Sequence, residues 1–153
     1  MPVPKSVIRL NKDGVQYISS VDRTKYTIRE LTRAAMRDVG KFLVRRFNMK
    51  AQQLPGMKRN HRVRGKTSAF EYWARKIECD LQVKVTHNAW YGAKQELGTS
   101  KMKRLGIMRD TTYENIAEIV KIESQYLSAL EDEARALALI ESEDDYEGGA
   151  DDE

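Results

Sequence analysis

The sequence predicts an α+β fold, with a small antiparallel β-sheet of hairpins packed against a long N-terminal helix, then a short central helix and a long C-terminal helix. Three observations predict it: β-favouring runs on either side of an Asp-Gly turn, apolar residues at helical spacing from Ile28 to Leu43, and strict alternation from Leu81 to Val85. With 153 residues and 41% hydrophobic content, the chain buries one modest core. A single domain over residues 1–140 is therefore expected, with a basic loop at 52–68 and a disordered acidic tail at 141–153.

In order along the chain, Val7 to Leu10 and Val15 to Ile18 flank Asn11-Lys12-Asp13-Gly14, the composition of a tight hairpin. The first helix is predicted to start where the Thr27 hydroxyl caps Glu30 and the Glu30 carboxylate reaches back to Thr27. Ile28, Leu31, Ala35, Val39, Phe42 and Leu43 define its apolar face, which runs to about Met49. On the other side Arg29, Arg33, Arg37, Lys41 and Arg45 recur at intervals of four, a ladder that drifts by roughly 40° per step. Like charges at that spacing cost an isolated helix about 0.2–0.5 kcal/mol per pair. The ladder is thus solvated, relieved by an acidic neighbour, or in contact with DNA.

Periodicity stops between Gln52 and Ser68, where Pro55-Gly56 precedes Lys58, Arg59, His61, Arg62, Arg64 and Lys66. Dense cations on a loop suit a phosphate backbone, but no aromatic residue is interleaved to stack a base, so any such contact is blind to sequence. Facing DNA, docking on an acidic partner and staying solvated are all compatible with the composition. Phe70 to Ile77 fits a helix capped by Ser68 or a strand; the alternation of Leu81, Val83 and Val85 with polar residues calls for an antiparallel partner and favours a second hairpin.

Asn88 caps a predicted short helix from Ala89 to Leu97 that Gly98 ends. Within it Gly92 and Ala93 permit close approach of another element, while Trp90 and Tyr91 are large amphipathic anchors that fill either a core or an interface. A capping box at Thr111 and Glu114 opens the last helix, predicted over 112–140. Ile116, Val120, Leu127, Leu130, Ala134 and Leu137 form its near-heptad seam, interrupted by Glu123. A helix of that length projects beyond so small a core unless a partner, or the chain itself as a lid, covers it.

Charge is distributed unevenly. Residues 1–110 hold 25 Lys and Arg against 9 Asp and Glu, whereas residues 111–153 hold 2 against 14, giving nets of +16 and −12. Opposed surfaces therefore attract within the chain, between copies of it, or between the basic part and a nucleic acid. No apolar run approaches the length of a bilayer span, and Met1 to Leu10 lacks the features of a signal peptide, so a soluble protein made in the cytoplasm is expected.

The residues offer little to catalysis. His61 and His87 stand in no motif and read as polar surface residues, and Gly65-Lys66-Thr67 lacks the upstream glycine of a phosphate-binding loop. Cys79 is alone, which excludes an intramolecular disulfide, and has no companions at zinc-ligand spacing. Catalytic, metal and cofactor-binding residues are each expected to be none.

From Tyr91 to Thr99 the sequence resembles the tail-completion or head-tail joining proteins of long-tailed double-stranded DNA phages and prophages. Their pattern is a Tyr, a small residue, an acidic residue and Gly-Thr, set between a β-hairpin and a C-terminal helix. Tyr91, Gly92, Glu96, Gly98 and Thr99 match it, and Gln95 to Lys101 with Leu81 to Val85 is similar to a branch from prophages of Gram-positive bacteria. Arg109 matches an Arg of the pattern, but the family's proline-rich stretch is absent from Arg104 to Asp110.

The resemblance implies a non-catalytic virion structural protein, assembled in the host cytoplasm, that forms an oligomeric ring at the neck between capsid and tail. Its partners would be copies of itself, neighbouring neck and tail proteins and passing double-stranded DNA, with no membrane. It places Trp90, Tyr91, Gly92, Gln95, Glu96, Leu97, Gly98, Thr99 and Arg109 in subunit contacts. Lys58, Arg59, Arg62, Arg64 and Lys66 would face DNA or an acidic neighbour. From another class, the basic body suggests a small sequence-nonspecific nucleic-acid-binding protein; a regulator of a host protein is a third possibility that neighbouring genes would separate.

Overall fold

The first hairpin forms around the Asp-Gly turn. In the structure, a computed structural model that describes residues 8–54, 69–75, 77–86 and 92–147, β1 (Ile8–Lys12) pairs antiparallel with β2 (Val15–Ser19). Asp13 and Gly14 both take positive φ, at 54° and 81°, as a two-residue type I′ turn requires.

Helix α1 (Val21–Gln53) is longer than its apolar pattern predicts. It begins six residues before Thr27, and the expected capping box does not form. Instead, the Thr27 hydroxyl donates to the Arg23 carbonyl at 3.0 Å, the back-bonding typical of Thr inside a helix, as Thr32 also does to Ile28. At the other end Leu54 is extended, the conformation that the following Pro55 imposes on its predecessor.

Two apolar clusters divide α1 by length. Its C-terminal half, through Val39, Leu43, Phe47 and Ala51, packs on a second hairpin made of β3 (Phe70–Ala74) and β4 (Leu81–Val85). Phe47 and Phe70 meet edge to face with centroids 5.4 Å apart. Phe70, Tyr72 and Ala74 face α1 with Leu81, Val83 and Val85, while Trp73 is exposed on the opposite face, so the alternation read from the sequence holds. The two hairpins are separate two-stranded sheets. Gly40 is where α1 meets β3: a Cβ there would lie 2.4 Å from the Tyr72 ring.

The single C-terminal helix predicted over 112–140 is instead three α-helices. α3 (Ile107–Glu114) and α4 (Ile116–Ser128) are separated at Asn115, whose backbone and side-chain amides both donate to the Thr111 carbonyl. Thr111 lies inside α3 and Glu114 pairs with Lys50 at 2.7 Å, so neither opens a helix as a capping box would. A 3-10 turn (Ala129–Glu131) and extended Asp132 then lead into α5 (Glu133–Glu147), with Asp132 accepting the N–H of Ala134 at 3.0 Å.

These breaks let the chain fold back as its own lid. α4 returns along α1 from the Lys50–Glu114 pair to Leu130, which borders a cavity with Ile28 and Ala136. Tyr126, Ala136 and Ile140 bury against Leu31, Ala34 and Ala35, and the Tyr126 hydroxyl donates to Asp38. The acid-rich arm thus lies on the basic helix, one of the pairings that the charge split allows.

Because the ladder drifts around the helix, its members do not share one solvated face. Arg29 and Arg45 are exposed, Arg33 and Lys41 half-buried, and Arg37 buried at 5%. Glu30, itself buried, lies 3.8 Å from Arg33, and Asp38 lies 3.8 Å from Lys41. Helix α5 also extends to Glu147, beyond the residue 141 boundary expected for a disordered tail, with Ile140 buried near its middle. No helix among the described residues is long and apolar enough to cross a membrane.

Candidate functional site

The residues from Gly92 to Arg109 form a closed clasp between β4 and α3. It starts with α2 (Gly92–Leu97), seated so tightly on β4 that a Cβ on Gly92 would lie 2.7 Å from Val85. Gly98 ends α2 with φ at 78°, and its N–H donates to the Lys94 carbonyl at 2.9 Å. A side chain there would meet the backbone nitrogen of Arg104 at 2.9 Å, so glycine is required by conformation and by space.

After Gly98 the chain turns back on itself. Thr99 and Met102 exchange backbone hydrogen bonds at 2.9 and 3.2 Å, and the Thr99 hydroxyl accepts the Lys101 N–H. Leu105 and Gly106 then donate to the carbonyls of Gln95 and Glu96. The loop is thereby sewn to the helix it left.

Glu96 closes the unit. Its Oε1 accepts the N–H groups of Met108 at 3.0 Å and Arg109 at 3.2 Å, in the first turn of α3. Gly106, which precedes α3 in a left-handed conformation, has no side chain to cap the helix, so a carboxylate from a distant position does it. Negative charge there also complements the positive end of the helix dipole. The entry to α3 is thus held by Gly106 and Glu96.

Of the predicted interface residues, Gly92, Gln95, Glu96, Gly98, Thr99 and Arg109 come together in this clasp. The Arg109 guanidinium lies 5.7 Å from the centre of the Tyr113 ring. Leu97 is directed outward at 77% exposure. Trp90, Tyr91 and the loop cations Lys58, Arg59, Arg62, Arg64 and Lys66 lie outside the described residues, as do His61 and His87. Sequence reasoning missed Gly106 and Met102, although a second glycine eight residues after Gly98 was a usable sign of a second special backbone position.

A second surface lies at the opposite end of α1. The near-heptad seam does not face the core: Ile116, Val120, Leu127 and Leu130 are 47, 55, 66 and 42% exposed, while Ile119, Ile122, Tyr126 and Ala129 turn inward. Helix α4 therefore has two apolar stripes, and the heptad pattern matched the outer one. Leu127 and Leu130 border an open apolar groove of about 220 Å³ with Ile28, Leu31 and Met36 of α1 and with Glu123.

Among the described residues, charge at the second hairpin's turn pairs locally. Arg75 grips Asp80 through Nε at 2.6 Å and through a second guanidinium nitrogen, which holds the Asp80 carboxyl below its ordinary range. Cys79 is half-buried, with φ at 51°. No group of three or more metal-ligating side chains occurs among the described residues. Compared with family models, curated proteins and solved structures, the chain matches none.

Proposed function

We propose that this chain is a non-catalytic structural subunit of a phage neck or tail, which completes or joins the tail at the capsid as one member of an oligomeric ring. The observation that carries the reading is the clasp. Among the described residues of the motif that resembles head-tail joining proteins, Glu96, Gly98 and Thr99 build the loop and the carboxylate contact that tie α2 to α3, and Gly92 seats α2 on β4. Their spacing thus has a physical reason, since Glu96 must reach α3 while Gly98 lets the chain turn beneath Arg104. An exposed apolar stripe on α4 adds to it, because such stripes on small proteins mark contact with other chains.

The alternative, a nucleic-acid-binding protein blind to sequence, is favoured by Lys101, Lys103 and Arg104, which are exposed and form no ion pair among the described residues. Coexpression of the full chain with the portal and tail-tube proteins of its own gene neighbourhood separates the two. The structural reading expects co-purification in fixed stoichiometry as a ring-shaped assembly. Absence from that assembly, together with tight duplex binding by the monomer whose log affinity falls steeply with log salt, would overturn it.

A further inference from the structure

We infer that copies of this chain associate head to tail, the clasp of one copy docking into the α1–α4 groove of the next. This rests on the structural-subunit reading and names the surfaces it would use. Each is apolar and exposed, with cations on the clasp and carboxylates on the α4 side of the groove. On the clasp, Leu97, Met102 and Leu105 are 77, 45 and 39% exposed, and Lys101, Lys103 and Arg104 stand among them. In the groove, Ile28, Leu127 and Leu130 surround Glu123, which has no ion-pair partner among the described residues, and Glu131 is exposed beside Leu130.

The charge pattern selects the occupant. Two copies of the groove face to face would set one Glu123 against another, and two clasps would oppose cations to cations, so a symmetric pairing of either surface is disfavoured. The clasp opposite the groove brings aliphatic side chains to a cavity of about 220 Å³, room for an inserted Met or Leu, and cations to Glu123 and Glu131.

Position along the fold agrees. The groove is built on residues 28–36 of α1, whereas the clasp leads into α3, whose Ile107 packs with Val39, Leu43, Phe47 and Ala51. Surfaces at two ends of one helix cannot satisfy each other in one chain. Between chains they make a heterologous contact, which closes into a ring or extends as a filament.

The test uses two full-length variants, each altered at an exposed position: Leu127→Glu in the groove and Met102→Glu in the clasp. Circular dichroism and melting verify that both fold, and sedimentation velocity over a concentration series reads association. Wild type is expected to associate, and each variant alone to do so at least roughly tenfold more weakly. Mixed in equal amounts, the variants are expected to form a one-to-one dimer that grows no further, since one intact groove and one intact clasp remain between them. Wild type monomeric at every concentration, variants that associate undiminished, or a mixture that stays monomeric would each overturn the inference. None of these bears on co-purification with portal and tail-tube proteins, which decides the underlying reading separately.

Discussion

The Glu96 carboxylate accepts the backbone N–H of Met108 at 3.0 Å, across twelve residues and a closed loop. One side chain thereby both caps α3 and fixes the clasp against α2. Replacing Glu96 by Ala removes the acceptor for two N–H groups and is expected to cost about 1–2 kcal/mol in urea unfolding. Glu96→Gln keeps an acceptor but loses the charge that favours the helix terminus, so it should cost less. Equal stability of Ala and wild type would contradict the capping role.

Gly98→Ala tests the other half of the clasp. The new methyl would lie 2.9 Å from the Arg104 nitrogen, and φ at 78° is itself unfavourable for alanine. Destabilisation of about 2 kcal/mol or more is expected. At Gly14, with φ at 81° but open space around the Cβ position, the same change carries only the conformational part and should cost less. Chemical denaturation of the two variants side by side checks the order.

Within α1, Gly40→Ala should reverse the usual rule. Alanine ordinarily stabilises a helix interior by about 0.5–1 kcal/mol relative to glycine. Here its methyl would meet the Tyr72 ring at 2.4 and 2.6 Å and Leu81 at 3.1 Å, and the overpacking cost of about 1–3 kcal/mol outweighs that gain. A lower melting temperature is expected, and a higher one would mean that the helix and the second hairpin are not in this contact.

Acid should loosen the Arg75–Asp80 turn. The guanidinium holds the Asp80 carboxyl below its unfolded value, so the pair's stabilisation is complete above the ordinary Asp pKa of about 4 and is lost as pH falls through the lower folded value. Both groups are only half-buried and reach solvent, so the effect is small and weakens with salt. In melting curves taken at successively lower pH, Asp80→Asn should lose less stability than wild type through that window. Identical acid dependence would contradict the coupling.

Much of the architecture was legible because local chemistry decided it. Asp13-Gly14 admits few turns, and Leu81, Val83 and Val85 alternate as a sheet with one buried face must. Helix ends were less legible, because Thr27 and Thr111 have cap-like neighbours but sit inside helices whose starts are set by tertiary packing. Nor could periodicity show which apolar stripe of α4 faces inward, since Ile116-Val120-Leu127 and Ile119-Ile122-Tyr126 both repeat at helical spacing. The tertiary contacts of Ile119, Ile122 and Tyr126 with α1 decide that choice. In the clasp, Gly98 announced a helix end, while the bonds from Glu96 to Met108 and Arg109 depend on a loop closure that spacing alone does not encode.

Quantitative mass spectrometry of purified phage particles from a strain that carries this gene reads directly whether the chain is a virion subunit. The chain is expected to be a stoichiometric component, in several copies per particle and in constant ratio to the portal protein, retained after nuclease treatment. Intact particles that lack the chain, with all of it recovered in the soluble fraction, would contradict a structural role in the virion.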